Sequence, residues 1–278
     1  MNQITTVKMD LVIDTDEYAV DMKAGLDTMQ GVSDAMRIAA ETVLSGKTPT
    51  RNTSKGRVRT KLRRTFDGSY GQEFHLEIYD QDMRKSLRRI GRAAFIELIT
   101  YVVNEAIYQE TAELSEKAKT QLDRIGNVTG TVVRRLQGSI LKNIHQVSRQ
   151  LGYGVTIRHR TSRLERPSVV KFDSETAKVM DAKVSGEKVE LEMGVTRLNI
   201  HTGNGRLQIK GHGETVAFGF QGRYRNIAIN AKKVFSENLN KNNGLEDTDW
   251  EYLRVGALPM KLADGTVVKY FVTELYEI

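Results

Sequence analysis

The chain has 278 residues, 42 Lys and Arg against 35 Asp and Glu, a net charge of +7, 39% apolar residues and no cysteine. Those values suit one large or two modest globular domains rather than a disordered chain. The lack of cysteine excludes disulfides, thiol nucleophiles, Fe–S clusters and cysteine-held zinc, and fits a reducing cytoplasm.

The first predicted element is a half-buried strand over residues 4–14, where Val7, Met9, Leu11 and Ile13 alternate with Thr6, Lys8 and Asp10. Asp14, Asp16 and Glu17 then place acids at a helix start, where capping and the helix dipole favour them. That helix runs to about Leu44, with Met22, Leu26, Met29, Val32, Met36, Ala39 and Val43 marking its core face and Gly31 a weak point. A Gly-, Lys-, Thr- and Asn-rich loop leads to a basic strand at Arg57–Arg64, a turn at Phe66–Gly71 and a strand over Gln72–Asp80. Residues 83–151 read as helical throughout. Ile90, Phe95, Leu98, Val102 and Ile107 mark one long helix, Leu114–Leu122 a short polar one, and Val132 to Leu151 a third. The pattern predicts an α+β fold in which a long helical hairpin packs on a β-α-β-β sheet.

Arg158–Pro167 reads as an exposed basic loop and sets the expected boundary between a domain at 1–166 and another at 167–278. The second is strand-rich. Val189–Ile200, Arg206–Ile209, Thr215–Phe220, Tyr252–Ala257, Met260–Leu262 and Val267–Leu275 are separated by turn signals, including Asn204-Gly205, with one helix at Ala231–Leu239. Short strands at this spacing predict a small barrel or curved sheet serving interaction or assembly.

The positive charge is concentrated. Residues 47–92 hold 13 Lys and Arg against 5 acids, whereas residues 167–278 balance. Arg57, Arg59, Lys61 and Arg63 alternate along the strand, with Arg64 following, and Arg84, Lys85, Arg88, Arg89 and Arg92 share one helical face. Cations on an edge strand also guard against aggregation. The repulsion among these charges nevertheless points to an anionic partner, most simply nucleic-acid phosphates. An acidic protein is the alternative partner, with the long helices forming a homo-oligomer.

No enzyme signature emerges. His75, His145, His159, His201 and His212 show no metal-binding spacing, and there is no G-x-S-x-G or Walker A sequence. Asp14, Asp16 and Glu17 are better explained as helix-start acids than as Mg²⁺ ligands. Asp67, Glu73 and Glu77 outline a third option, a metal-dependent nuclease, but His75 and Tyr79 stand where a lysine would be needed. No cofactor is expected. The N-terminus lacks a leader pattern, and Ala93–Ile107 carries Glu97, Asn104 and Glu105, so a cytoplasmic protein without membrane contact is expected.

The order Leu26–Ala40, Val58–Arg64 and Phe74–Ile78, with Arg197-Leu198-Asn199 and Gly203-Asn204-Gly205-Arg206 in the β-rich end, resembles bacterial two-domain proteins of unknown function. Some of these lie in mobile-element or defence neighbourhoods. The resemblance implies a bacterial or phage-defence setting and no assigned site residue.

Overall fold

A computed structural model describes residues 4–16, 18–50, 56–66, 69–162 and 164–276. Expectations resting on Glu17, Asp67, Gly68 and Arg163 fall outside the described residues. The chain divides into two compact units, Met1–Met180 and Asp181–Ile278.

The first unit begins with β1 (Thr5–Ile13), whose Val7, Met9, Leu11 and Ile13 are fully or almost fully buried on one face, as their alternation requires. Helix α1 (Met22–Ser45) starts later than the acids at 14–17 suggest, because Asp21 is the residue whose side chain caps Ala24 N–H. Met22 and Leu26, expected in the core, are exposed, while Val32, Met36, Ala39 and Val43 are buried. Gly31 does not break the helix. A Cβ there would lie 2.6 Å from the backbone nitrogen of Ile144, so the glycine permits close helix packing.

Strands β2 (Val58–Phe66) and β3 (Tyr70–Ile78) form the expected hairpin. The helical layer then breaks where one face was expected to continue. Asp80 caps α2 (Gln81–Ile90), and Gly91, at φ 84°, separates it from α3 (Arg92–Ala106). Arg92 therefore opens a new helix and does not extend the face of Arg84 and Arg88. After α4 (Glu116–Ile125), the third predicted helix is a series of pieces. These are α5 (Val128–Arg135), a π-helical turn (Leu136–Ile140) with Gly138 outside helical geometry, α6 (Leu141–Ile144) and α7 (Gln146–Leu151).

The chain returns to the sheet as β4 (Val155–His159) and β5 (Ser168–Phe172), and α8 (Ser174–Val179) follows. The antiparallel order is β2-β3-β1-β4-β5. The boundary expected after Arg166 thus falls inside the first unit, because Ser168–Phe172 pairs with β4. The helices share one core with Val7, Met9, Leu76, Ile78 and Ile157, which leaves the opposite sheet face to polar side chains.

The second unit holds β6 (Lys183–Val184), β7 (Val189–Leu198), β8 (Gly205–Ile209), β9 (Thr215–Phe220), α9 (Ile229–Asn242), β10 (Leu253–Lys261) and β11 (Val267–Leu275). Pairings β7–β8, β8–β9, β9–β11, β11–β10 and β10–β7 close a five-stranded barrel, and β6 attaches to β10. Only the β9–β11 pair is parallel, and α9 bridges the third and fourth barrel strands. This is the strand order of an OB-type barrel. Met193, Val195, Leu207, Phe218, Phe235 and Val255 fill its core. The protein is therefore α+β, with a barrel as its second unit.

Candidate polyanion-binding surfaces

The cations of the basic segment fall in two layers of the first unit. Those of β2 project onto the sheet face away from the helices, above carboxylates that the register supplies from β3. Lys61 lies opposite His75 and Arg59 opposite Glu77. A bulge between Leu62 and Arg64 adds Arg63 and re-aims the strand so that Arg64 faces Glu73. Lys61 Nζ lies 2.9 Å from Glu77 Oε2, and Arg63 Nη2 donates to Glu77 Oε1 at 2.7 Å. Arg64 Nε donates to Glu73 Oε2 at 2.9 Å. Arg63 Nε also donates to His75 Nδ1, which leaves Nε2–H to bond Glu73 Oε1 at 3.1 Å. Arg57, just before the strand, is held by Glu41 of α1 at 2.6 Å. Arg59 bonds the Gly56 carbonyl and lies 4.3 Å from the centre of the Tyr79 ring.

Beneath these cations lies a buried group that the alternating pattern had placed on an ordinary polar face. Asp10 is fully buried and accepts from Arg160 Nε and Nη2 at 3.0 and 2.8 Å. Arg160 also reaches Glu73 at 3.5 Å, and Arg166 approaches Asp10 Oδ2 at 3.8 Å. Both guanidinium groups sit over the Phe66 ring, which in turn covers Gly71, where a Cβ would come within 2.4 Å of it. The loop expected to be a solvated linker therefore clamps the sheet through Arg160. Burial pushes the Glu73 carboxyl up, but bonds from Arg64 and His75 and the charge of Arg160 outweigh it and leave its pKa below the usual value. Glu77 is likewise pushed up by burial and carried below its usual value by Tyr79, Lys61 and Arg63.

The helical cations have other surroundings. A cleft of about 540 Å³ lies between the end of α1, α2 and α4, lined by Lys85, Arg89 and Arg124 with Asp82, Ser86 and Gln121. The Gln121 side chain, 4% exposed, donates from Nε2 to the carbonyl of Val43 near the end of α1 at 2.7 Å. Its Oε1 is thereby turned toward Arg89 and accepts from Nη2 at 2.9 Å, while Ser86 Oγ accepts from the same nitrogen at 3.1 Å. Arg89 is positioned by neutral oxygens, so its charge stays uncompensated among the described residues. Lys85 pairs with the exposed Asp82 at 3.3 Å, and Arg84 reaches back to the Asp80 carbonyl. Arg88 and Arg124 are exposed and make no ion pair among the described residues. Arg92 stands apart at the start of α3, where its charge adds to burial in lowering the pKa of His159.

The structure thus brings Lys85 and Arg89 to one cleft and Lys61, Arg63 and Arg64 to one ion-paired face, and keeps the two sets in separate layers. Sequence reading missed Arg124, whose only signal is a cation in the last turn of a short polar helix. Among the described residues no cluster of three or more His, Asp and Glu is placed to hold a metal ion, and Glu73 and Glu77 are bonded to cations. No described helix is long and apolar enough to cross a membrane. No protein-family model, curated protein or solved structure matches the chain.

Proposed function

We propose that the protein binds nucleic acid through its phosphates, with Arg89 and Arg124 as the principal contacts and Lys85 and Arg88 beside them. The observation that supports this most is the held guanidinium of Arg89 at the cleft. Gln121 and Ser86 fix it without neutralising it, which removes part of the ordering cost of gripping an anion. Arg57, Lys61, Arg63 and Arg64 are assigned mainly to holding the sheet, since each spends its charge on a carboxylate of the same unit.

The test is binding of labelled single- and double-stranded DNA and RNA across a salt series. Wild type should bind with an affinity that falls steeply with salt. Arg89→Glu with Arg124→Glu should weaken duplex binding at least tenfold and flatten its slope. Lys61→Gln should change both much less. If the double variant bound as wild type does, the cleft would not be the site. If no nucleic acid bound even at low salt, the reading would fail and an acidic protein would become the partner to seek.

A further inference from the structure

The barrel, neutral as a whole, is polarised. Residues 193–236 carry seven Lys and Arg (Arg197, Arg206, Lys210, Arg223, Arg225, Lys232 and Lys233) against one acid, Glu214. The rest of the unit carries six against twelve. Several acids of that remainder are neutralised locally: Glu274 by Lys188, Glu251 by Lys241 and Glu190 by Arg254. Arg223, Arg225 and Lys233 are exposed and make no ion pair among the described residues.

Arg223 and Arg225 border a patch in which aromatic rings and positive groups alternate. Phe271 of β11 is half-buried and lies opposite Gly219 of β9. Lys269 passes across that glycine, 5.2 Å from the centre of the Phe271 ring, to bond Asn204 Oδ1 at 3.0 Å. A Cβ on Gly219 would come within 2.8 Å of Asn204 Oδ1 and 3.2 Å of Lys269 Cε, so a larger residue would displace this crossing. Next to Asn204, Gly203 at φ 71° receives the Tyr224 ring, where a Cβ would sit 2.2 Å away. Lys232 Nζ lies 4.8 Å from the centre of that ring, and Arg223 and Arg225 flank it in the chain. Arg206 is fixed nearby by Thr215 through two bonds of 2.8 and 2.7 Å.

We propose that this face of the barrel, from Phe271 through Lys269 and Asn204 to Tyr224 and its flanking arginines, is a binding site for single-stranded nucleic acid. Phosphates are met by Arg223, Arg225 and Lys232, and an unpaired base stacks on the exposed part of the Phe271 ring. A duplex hides its base faces and gives such a ring nothing to stack on, so the surface selects single strands. This site is separate from the cleft at Arg89 and does not depend on it.

The experiment uses the full chain and a fluorescein-labelled oligothymidine of 20 nucleotides, with a duplex of the same length as control. Arg223→Gln with Arg225→Gln removes two cations from an exposed segment. It should make the slope of log affinity against log salt shallower by about 1.4 for the single strand, at about 0.7 per lost contact. Phe271→Ala should weaken single-strand binding about tenfold and duplex binding little. Thermal unfolding should confirm that the Arg223/Arg225 variant stays folded. If that variant and Phe271→Ala both bind the single strand like wild type, the barrel site is refuted, whatever the cleft does. If only Arg89→Glu with Arg124→Glu abolishes binding, the cleft stands and the barrel site falls. Loss of single-strand binding in the barrel variants with the cleft variant unaffected supports the barrel site alone.

Discussion

Strand β2 and helix α2 carry similar numbers of cations a short distance apart in the chain, yet their charges have different fates. On β2 the neighbouring strand places Glu73 and Glu77 four residues apart on the same face, and Glu41 of α1 meets Arg57. The strand's positive charge is answered inside the unit. On α2 only Lys85 has an acid one turn away, the exposed Asp82, whereas Arg89 has Ser86 there and the neutral Gln121 brought in by α4. Arg89 is held and Arg88 exposed, and neither makes an ion pair among the described residues. A run of basic residues therefore shows where charge is concentrated, and the pairing partners decide whether it is available to a ligand.

The comparison breaks most severely at Arg160. Replacing it with Leu removes the two bonds to buried Asp10 and leaves that carboxylate only the more distant Arg166, which should lower stability by about 3–5 kcal/mol, measured by urea unfolding. An unchanged midpoint would mean that Asp10 is neutralised by other means. Next in size is Glu77→Gln, which leaves Lys61 and Arg63 without their carboxylate and weakens the acceptor for Tyr79. The expected loss is about 1–3 kcal/mol. The same residue sharpens the comparison through pH. Because the folded pKa of Glu77 lies below its ordinary value of 4.5, its contribution is present above that pH and is lost as pH falls through the folded value. Wild type should therefore lose stability more steeply than Glu77→Gln in acid. Equal acid slopes would show that the carboxylate titrates normally in the folded state.

Much of the fold was legible because its periodicities are strict. The alternation in β1, the basic alternation in β2 and the Asn204-Gly205 turn each reflect local chemistry that short stretches determine. What was hidden depends on distance or on one backbone angle. Strands β4 and β5 complete a sheet begun about 150 residues earlier, and local pattern does not encode such pairing. Gly91 sits inside a helical pattern and reveals itself as a break only through its positive φ. Asp10 looked like a solvated strand residue because its partners, Arg160 and Arg166, come from another part of the chain. The cleft was half legible: Lys85 and Arg89 stood out within a basic cluster, while Arg124 and Gln121 acquire meaning only once α4 packs beside α2. In the barrel, counting charge over the whole of residues 167–278 concealed a separation that a count over shorter segments reveals.

The smallest expected stability effect is also the most discriminating. Arg88, Arg89 and Arg124 all lie in the last turns of their helices, where the dipole favours a cation by about 0.3–1 kcal/mol without any ligand. A capping role alone would explain their presence. Arg124→Lys separates the two roles, because a lysine keeps the charge at the helix end but lacks the planar fork that grips two phosphate oxygens. Thermal unfolding of Arg124→Lys should match wild type to within about 0.5 kcal/mol. Its affinity for nucleic acid should nevertheless fall several-fold at constant salt, with a slope close to wild type because the net charge is preserved. If lysine restored full affinity, Arg124 would contribute only a point charge. If stability fell and affinity did not, the arginine would serve the helix and not the ligand.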